Sequence, residues 1–197
     1  QRLVTGNIPA QTIDGITFSN TTGITTVDGD VFVRANGSSL LAEAINAGTG
    51  TVRLIGNGDV DQLATGIITA GSLGVRQEAT VYSAAEDLDA NGRFDILLGE
   101  TNDVNTFAAF NAFDTGVVAF NDVDDLTIGS VAALVNGNKN FALTNGIVTT
   151  FTGAIVAGAG DVDSGDILIN ADGFLSITQQ INAGGGTADV RLVADGD

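Results

Sequence analysis

Between residues 87 and 95 the chain reads DLDANGRFD, which spaces Asp87, Asp89, Asn91, Gly92 and Asp95 as D-x-D-x-N-G-x-x-D. Oxygen side chains at positions 1, 3, 5 and 9, with glycine at 6 for the tight bend, let a short loop wrap a hard cation at about 2.3 to 2.6 Å. The peptide carbonyl of Arg93 supplies the position-7 ligand. Asp87, Asp89, Asn91, Arg93 and Asp95 are therefore the candidate calcium ligands, and a solvated Asp/Asn/Gly turn is the competing reading. Further acidic turns fall at Asp28 and Asp30, at Asp59 and Asp61, from Asp122 to Asp125, and at Asp161, Asp163 and Asp166. Each is expected to be a polar turn first. A cation held by one of them, or between equivalent stacked turns, is the alternative.

Other chemistries are poorly supplied. There is no His and no Cys, which removes the usual general base, the commonest transition-metal ligand and any thiolate site or disulfide framework. The formal charge is -17, and the seven Lys and Arg residues are scattered singly, so nucleic acid and anionic membrane are poor partners while cations are good ones. Glu43, Glu78, Glu86 and Glu100 are the only glutamates among 24 acidic residues, so the acidity is concentrated in Asp, a turn former. The chain is expected not to be an enzyme. The runner-up is a polysaccharide lyase or hydrolase, with Arg93 beside Asp95 as the nearest catalytic candidate. The aromatic run TFAAFNAFDTGVVAF, with Phe107, Phe110, Phe113 and Phe120, suits interior stacking better than a sugar platform.

The elements that must position these groups are short strands. Runs such as VFVRA, TVRLIG, RFDILLG, GVVAFND, DILIN and DVRLVA are separated by Gly, Asn and Asp, with 27 Gly and one Pro in 197 residues, and nothing convincing reads as a helix. The chain also repeats itself. GDVFVRANGSSLLAEAINAGTGT from Gly29 aligns without a gap to GDILINADGFLSITQQINAGGGT from Gly165, 136 residues later, and after a two-residue insertion Asp59 matches Asp197. Asn46 and Asn182 in the shared INAG are expected to ladder along a stack, with Gly48, Gly50, Gly184 and Gly186 supplying positive-φ bends.

A closed sandwich has no reason to restart a phrase, whereas stacked turns of chain extend indefinitely. The expected fold is all-β, a right-handed parallel β-helix, with a β-sandwich as the alternative. At roughly 20 to 25 residues per turn and ~4.8 Å between paired strands, it would hold about 8 to 9 turns and stand ~40 Å tall. Residues 1–197 then form a single β-solenoid segment with one and a half copies of a higher-order unit, 29–164 and a partial 165–197. The chain has no Met, so it is expected to be a processed product or a piece of a longer one. The second copy stops where the first continues, so further chain or another subunit is expected there.

INAGTGTVRLIGNGDVDQLATGIITAGSLGVR together with NDVNTFAAFNAFDTGVVAFNDVDDLTIGSVAA resembles the repeat region of giant secreted bacterial proteins related to filamentous haemagglutinin, over residues 29 to 135 and again over 160 to 197. The resemblance implies an exported β-helical fibre at the bacterial cell surface, used in adhesion or cell contact, with no catalytic residues to carry over. The nine residues from Asp87 resemble the calcium loops between strands of integrin-type propellers. An EF-hand would need Glu at position 12, where Leu98 stands.

The functional expectation is a calcium-stabilised structural or adhesive segment of a secreted or cell-surface fibre protein. The alternative is a self-assembling extracellular filament or surface-layer subunit. Its partners would be neighbouring repeats or subunits of the same protein and a cell-surface receptor or glycan. No apolar run reaches membrane-spanning length, so membrane insertion is not expected.

Overall fold

The structure, a computed structural model, describes residues 3–4, 7–8, 11–13, 16–18, 21–113, 115–136, 139–143, 147–148, 165–183 and 188–196. Among them there is no helix. The N-terminal strands are short: β1 (Leu3–Val4), β2 (Asn7–Ile8), β3 (Gln11–Ile13), β4 (Ile16–Phe18), β5 (Thr21–Thr22) and β6 (Ile24–Thr25). The first copy of the repeated phrase then forms β7 (Val31–Arg34), β8 (Ser39–Leu41), β9 (Ile45–Asn46) and β10 (Thr51–Gly56), and the chain continues into β11 (Val60–Gln62), β12 (Ile68–Gln77) and the long β13 (Ile96–Asn111).

Apart from the antiparallel pairs β2 with β5 and β3 with β4, these strands pair in parallel, and around the first copy several partners recur at one interval. Val31, Val52 and Leu73 lie opposite one another, 21 residues apart, and Ser39 lies opposite Val60 at the same interval. Parallel neighbours cannot be joined by a tight hairpin and need a crossover. Here each crossover consists of two further strands that pair elsewhere in the same sheet. Three lines of pairing result. The first runs through β1, β8, β11 and the start of β13. The second runs through β6, β9 and the start of β12, and the third through β7, β10, the rest of β12 and the end of β13. These lines make one large parallel sheet that does not close on itself, with β2–β5 and β3–β4 as separate two-stranded antiparallel pairs.

Strand alternation explains the core. On β10, Val52 and Leu54 point inward with Val31, Leu41, Ile45, Leu73 and Val75, all buried, while Arg53 and Ile55 point outward. Phe107 and Phe120 stack inside, with ring centroids 4.0 Å apart. Phe110 lies on the outer face in a small second cluster with Ile55 and Ala108, beneath the Arg76 guanidinium, and Phe113 packs on Phe94. The four phenylalanines thus do separate jobs and form no exposed platform.

After β13 come β14 (Val118–Asp122) on the first line and β15 (Leu126–Ile128) on the third. An antiparallel hairpin, β16 (Val131–Asn136) with β17 (Lys139–Leu143), interrupts the third line before β18 (Ile147–Val148) resumes it against Ala109 and Phe110. Val131 packs into the outer cluster at the base of this hairpin.

The second copy forms β19 (Ile167–Ala171), β20 (Leu175–Ile177), β21 (Ile181–Asn182) and β22 (Val190–Ala194). The first three begin 136 residues after β7, β8 and β9. Ile167 lies opposite Val190 as Val31 lies opposite Val52. The two copies nevertheless join different lines: β7 and β10 belong to the third, whereas β19 and β22 extend the first by way of β14. The same words make the same local backbone at a different place around the sheet.

The Asn46 ladder is not formed. The residues stacked on Asn46 are Thr25 and Thr69, and its side-chain carbonyl accepts the Gly48 N–H at 3.0 Å within its own turn. Gly48 does take positive φ (56°). Gly50 is needed for another reason, because a Cβ there would lie 2.6 Å from the Gly29 carbonyl oxygen. Gly184 and Gly186 lie outside the described residues.

Candidate metal centre

Aspartates placed just before strands carry out one repeated task. Asp59 precedes β11, and its Oδ1 accepts the N–H of Asp95, which precedes β13, at 2.7 Å; Asp95 Oδ1 accepts the Val117 N–H at 2.7 Å. Asp30 Oδ1 accepts the Thr51 N–H at 2.9 Å, and its counterpart in the second copy, Asp166 Oδ1, accepts the Asp189 N–H at 2.8 Å. Asp28 and Asp125 likewise receive the N–H groups of Thr49 and Phe174 at 2.8 to 2.9 Å, and Asp122, the last residue of β14, receives that of Val104 at 2.9 Å. At each corner the ladder of strand-to-strand bonds lapses, and a short carboxylate reaches the orphaned donor. Asp suits this reach where the longer Glu would overshoot. The exception is Glu86, whose Oε2 accepts the Ser38 N–H at 2.7 Å from a distant loop. Asp161 and Asp163 lie outside the described residues.

That loop, residues 78 to 95, leaves the sheet between β12 and β13 and carries the DLDANGRFD motif. Ala90 (φ 58°) and Gly92 (φ 86°) turn it. Asp87 Oδ2 accepts the Gly92 N–H and the Tyr82 hydroxyl, both at 2.8 Å. Asp89 Oδ2 accepts from the Asn91 amide at 2.7 Å, and Asn91 Oδ1 accepts the Arg93 N–H at 3.0 Å. Tyr82, Phe94 and Phe113 pack together, with centroids 5.0 to 6.5 Å apart, and press the loop onto the sheet. Asp59 Oδ2 accepts the Leu88 N–H at 2.5 Å, which ties the loop to the Asp59 corner.

The outcome is a convergence that the motif alone does not contain. One carboxylate oxygen from each of Asp59, Asp87 and Asp89 lies within 4.8 Å of the others. Asp59 is buried and Asp89 exposed, so the group opens to solvent on one side. Of the five sequence candidates, Asp87 and Asp89 belong to this trio. Asn91 links Asp89 to Asp95, and Arg93 donates its Nε–H to Asp95 Oδ2 at 3.0 Å. Asp95 is the corner acceptor described above and stands outside the trio. Asp59 was expected only as a separate acidic turn. The signal pairing it with the loop is positional: Asp59 and Asp95 each stand just before strands that lie opposite, Val60 against Ile96.

The electrostatics are uneven. Burial raises Asp59 to about 6, against the opposing N–H bonds from Leu88 and Asp95. Burial, then the charges of Asp59, Asp89, Asp95 and Asp87, raise Asp61 to about 8, and its buried Oδ1 has no hydrogen-bond partner. Burial also pushes on Asp87, but Tyr82 and the Gly92 and Asn91 amides outweigh it and hold that carboxyl low, while burial and Asp87 itself raise Asp89. The donor set is entirely hard oxygen, which fits calcium and not a soft transition metal. Asp59, Asp87 and Asp89 would hold the ion, whose two charges would offset the mutual repulsion of these carboxylates. No family model matches the chain, and no curated protein or solved structure does either.

Proposed function

We propose that this chain is a structural segment of a secreted or bacterial cell-surface fibre, in which the parallel sheet winds as a right-handed β-helix and calcium at the Asp59, Asp87 and Asp89 corner pins the 78–95 loop to it. One observation carries the reading. The second copy of the phrase adds its strands to the end of the same sheet, in the same strand-to-strand register as the first. A fold that lengthens by repetition is a spacer, suited to holding an adhesive tip away from a surface. The 21-residue return of parallel partners supports winding over an antiparallel sandwich. The likeness to filamentous-haemagglutinin repeats supports the placement outside the cell. The scattered basic residues and the absence of His favour structure over catalysis.

Because the phrase that begins at residue 165 repeats the one that begins at residue 29, an extra copy of residues 29–164 inserted after residue 164 keeps the sequence in step. Small-angle scattering of the lengthened chain should show its longest dimension growing in proportion to the residues added. A dimension growing only as the cube root, or a second separate globule, contradicts the spacer. Turnover of an acidic polysaccharide by the intact chain would favour the enzyme.

A further inference from the structure

The strand edge at the far end of the sheet is unfinished in a way the first copy makes measurable. Among the described residues β20, β21 and β22 each pair on one side only. Val190 is 47% exposed and Leu192 37%, although they face the core; their counterparts in the first copy, Val52 and Leu54, are 0% and 1% exposed. Ile177 is 50% exposed, and its counterpart Leu41 is fully buried. The chemistry is the same at both places, and only the covering differs. In the first copy Val60–Gln77 supplies that covering, with β11 on β8 and β12 on β9 and β10, in parallel register.

We propose that the end formed by β20, β21 and β22 is a docking surface for one more parallel β segment with the pattern of Val60–Gln77. The first copy states what such a partner must bring. It needs aliphatic side chains at the inward positions held by Val60, Ile68, Leu73 and Val75. It needs glycine where the chain crosses Leu41, because a Cβ on Gly66 would lie 1.9 Å from the Leu41 carbonyl oxygen. It should also bring little charge: Val60–Gln77 contains one Asp and one Arg, so it adds no net repulsion to a chain of charge -17. Recognition is by main-chain bonding along the free edge, with alternate side chains setting the register. The inference rests on the winding reading, since only a turn of chain meets all three strands at once.

The probe is a synthetic peptide of the Val60–Gln77 sequence added to the full chain, beside a scrambled peptide of the same composition. The matched peptide should slow amide exchange at residues 190–194 by 10-fold or more, and the scrambled one should not. The same two sequences are also fused after Asp197, where their effective concentration is high. The matched extension should melt above the scrambled one. Equal melting of the two extensions, or protection by the peptide confined to residues 3–25, overturns the proposal. A lengthened chain that passes the scattering test above while its end ignores both probes contradicts this inference alone and leaves the winding intact.

Discussion

The Asp30 and Asp59 corners begin with the same bond and neutralise it differently. At the first, Oδ1 receives the Thr51 N–H while Oδ2 ion-pairs with Arg53 at 2.8 Å, and these partners hold Asp30 below the usual carboxylate range. At the second, both oxygens of Asp59 receive N–H groups, yet burial first, and the charges of Asp95 and Asp89 after it, raise its pKa to about 6. Arg93 ion-pairs with Asp95 beside this corner at 3.0 Å. One corner has a cation built into the sequence. The other gathers the carboxylates of Asp59, Asp87 and Asp89 within 4.8 Å of one another. The same geometry therefore yields a finished structural corner in one place and a candidate metal centre in the other.

The largest effect should come from Asp59→Ala, which strands the Asp95 and Leu88 donors. At about 1 to 3 kcal/mol per unsatisfied buried group, the loss is about 2 to 6 kcal/mol by denaturant unfolding, together with any response to calcium. Next, chelation should lower the melting temperature of the unmodified chain. Saturation at a hundredfold excess over Kd contributes about 2.7 kcal/mol, or about 5 to 10 °C for a chain of this size. Asp30→Asn keeps an acceptor for Thr51, so it should cost about 1 kcal/mol or less and leave the calcium response unchanged. Loss of that response in the Asp30 variant would erase the contrast between the corners.

Acidity sharpens the contrast further. Asp59, Asp122 and Asp61 are raised to about 6, 7 and 8, each chiefly by burial. Groups raised on folding favour the folded state in full below their unfolded value near 4, and that contribution fades as pH climbs through the folded values. The calcium-free chain should therefore melt highest near about pH 4 and lower at about pH 8.5, with calcium restoring most at the upper end. Asp28 and Asp30, held low by their N–H partners, act in the opposite sense and matter only below about pH 4. The smallest effect is Ala90→Gly, which relieves a left-handed alanine (φ 58°) and should stabilise the loop by up to about 1 kcal/mol.

Local matters were legible in the sequence. The strands, the turn glycine Gly48, the interior Phe107 and Phe120 and the shared offset of the two copies all follow from residue types within a few positions. What depends on distant chain did not follow. The INAG corner recurs on a different line, because the hairpin at 131–143 and the excursion at 78–95 change how many residues separate successive strands. Asn102 shows the same limit. Within one long strand it reads as a surface polar residue, yet it is buried, accepting from the Ile68 N–H at 3.0 Å and donating to the Leu98, Glu100 and Asn121 carbonyls at 3.0 to 3.1 Å. It fills a bend in β13 that only the neighbouring strands define. The motif at 87–95 pointed to Asp87 and Asp89 but not to Asp59, which arrives from just before β11, two strands earlier than β13.

Calcium titration by calorimetry, on the chelator-stripped chain and on its Asp59→Asn and Asp30→Asn variants, tests the contrast between the corners most directly. The account predicts binding to the unmodified chain and to the Asp30 variant, and none to the Asp59 variant. Equal binding by all three, or no binding by the unmodified chain, would contradict it.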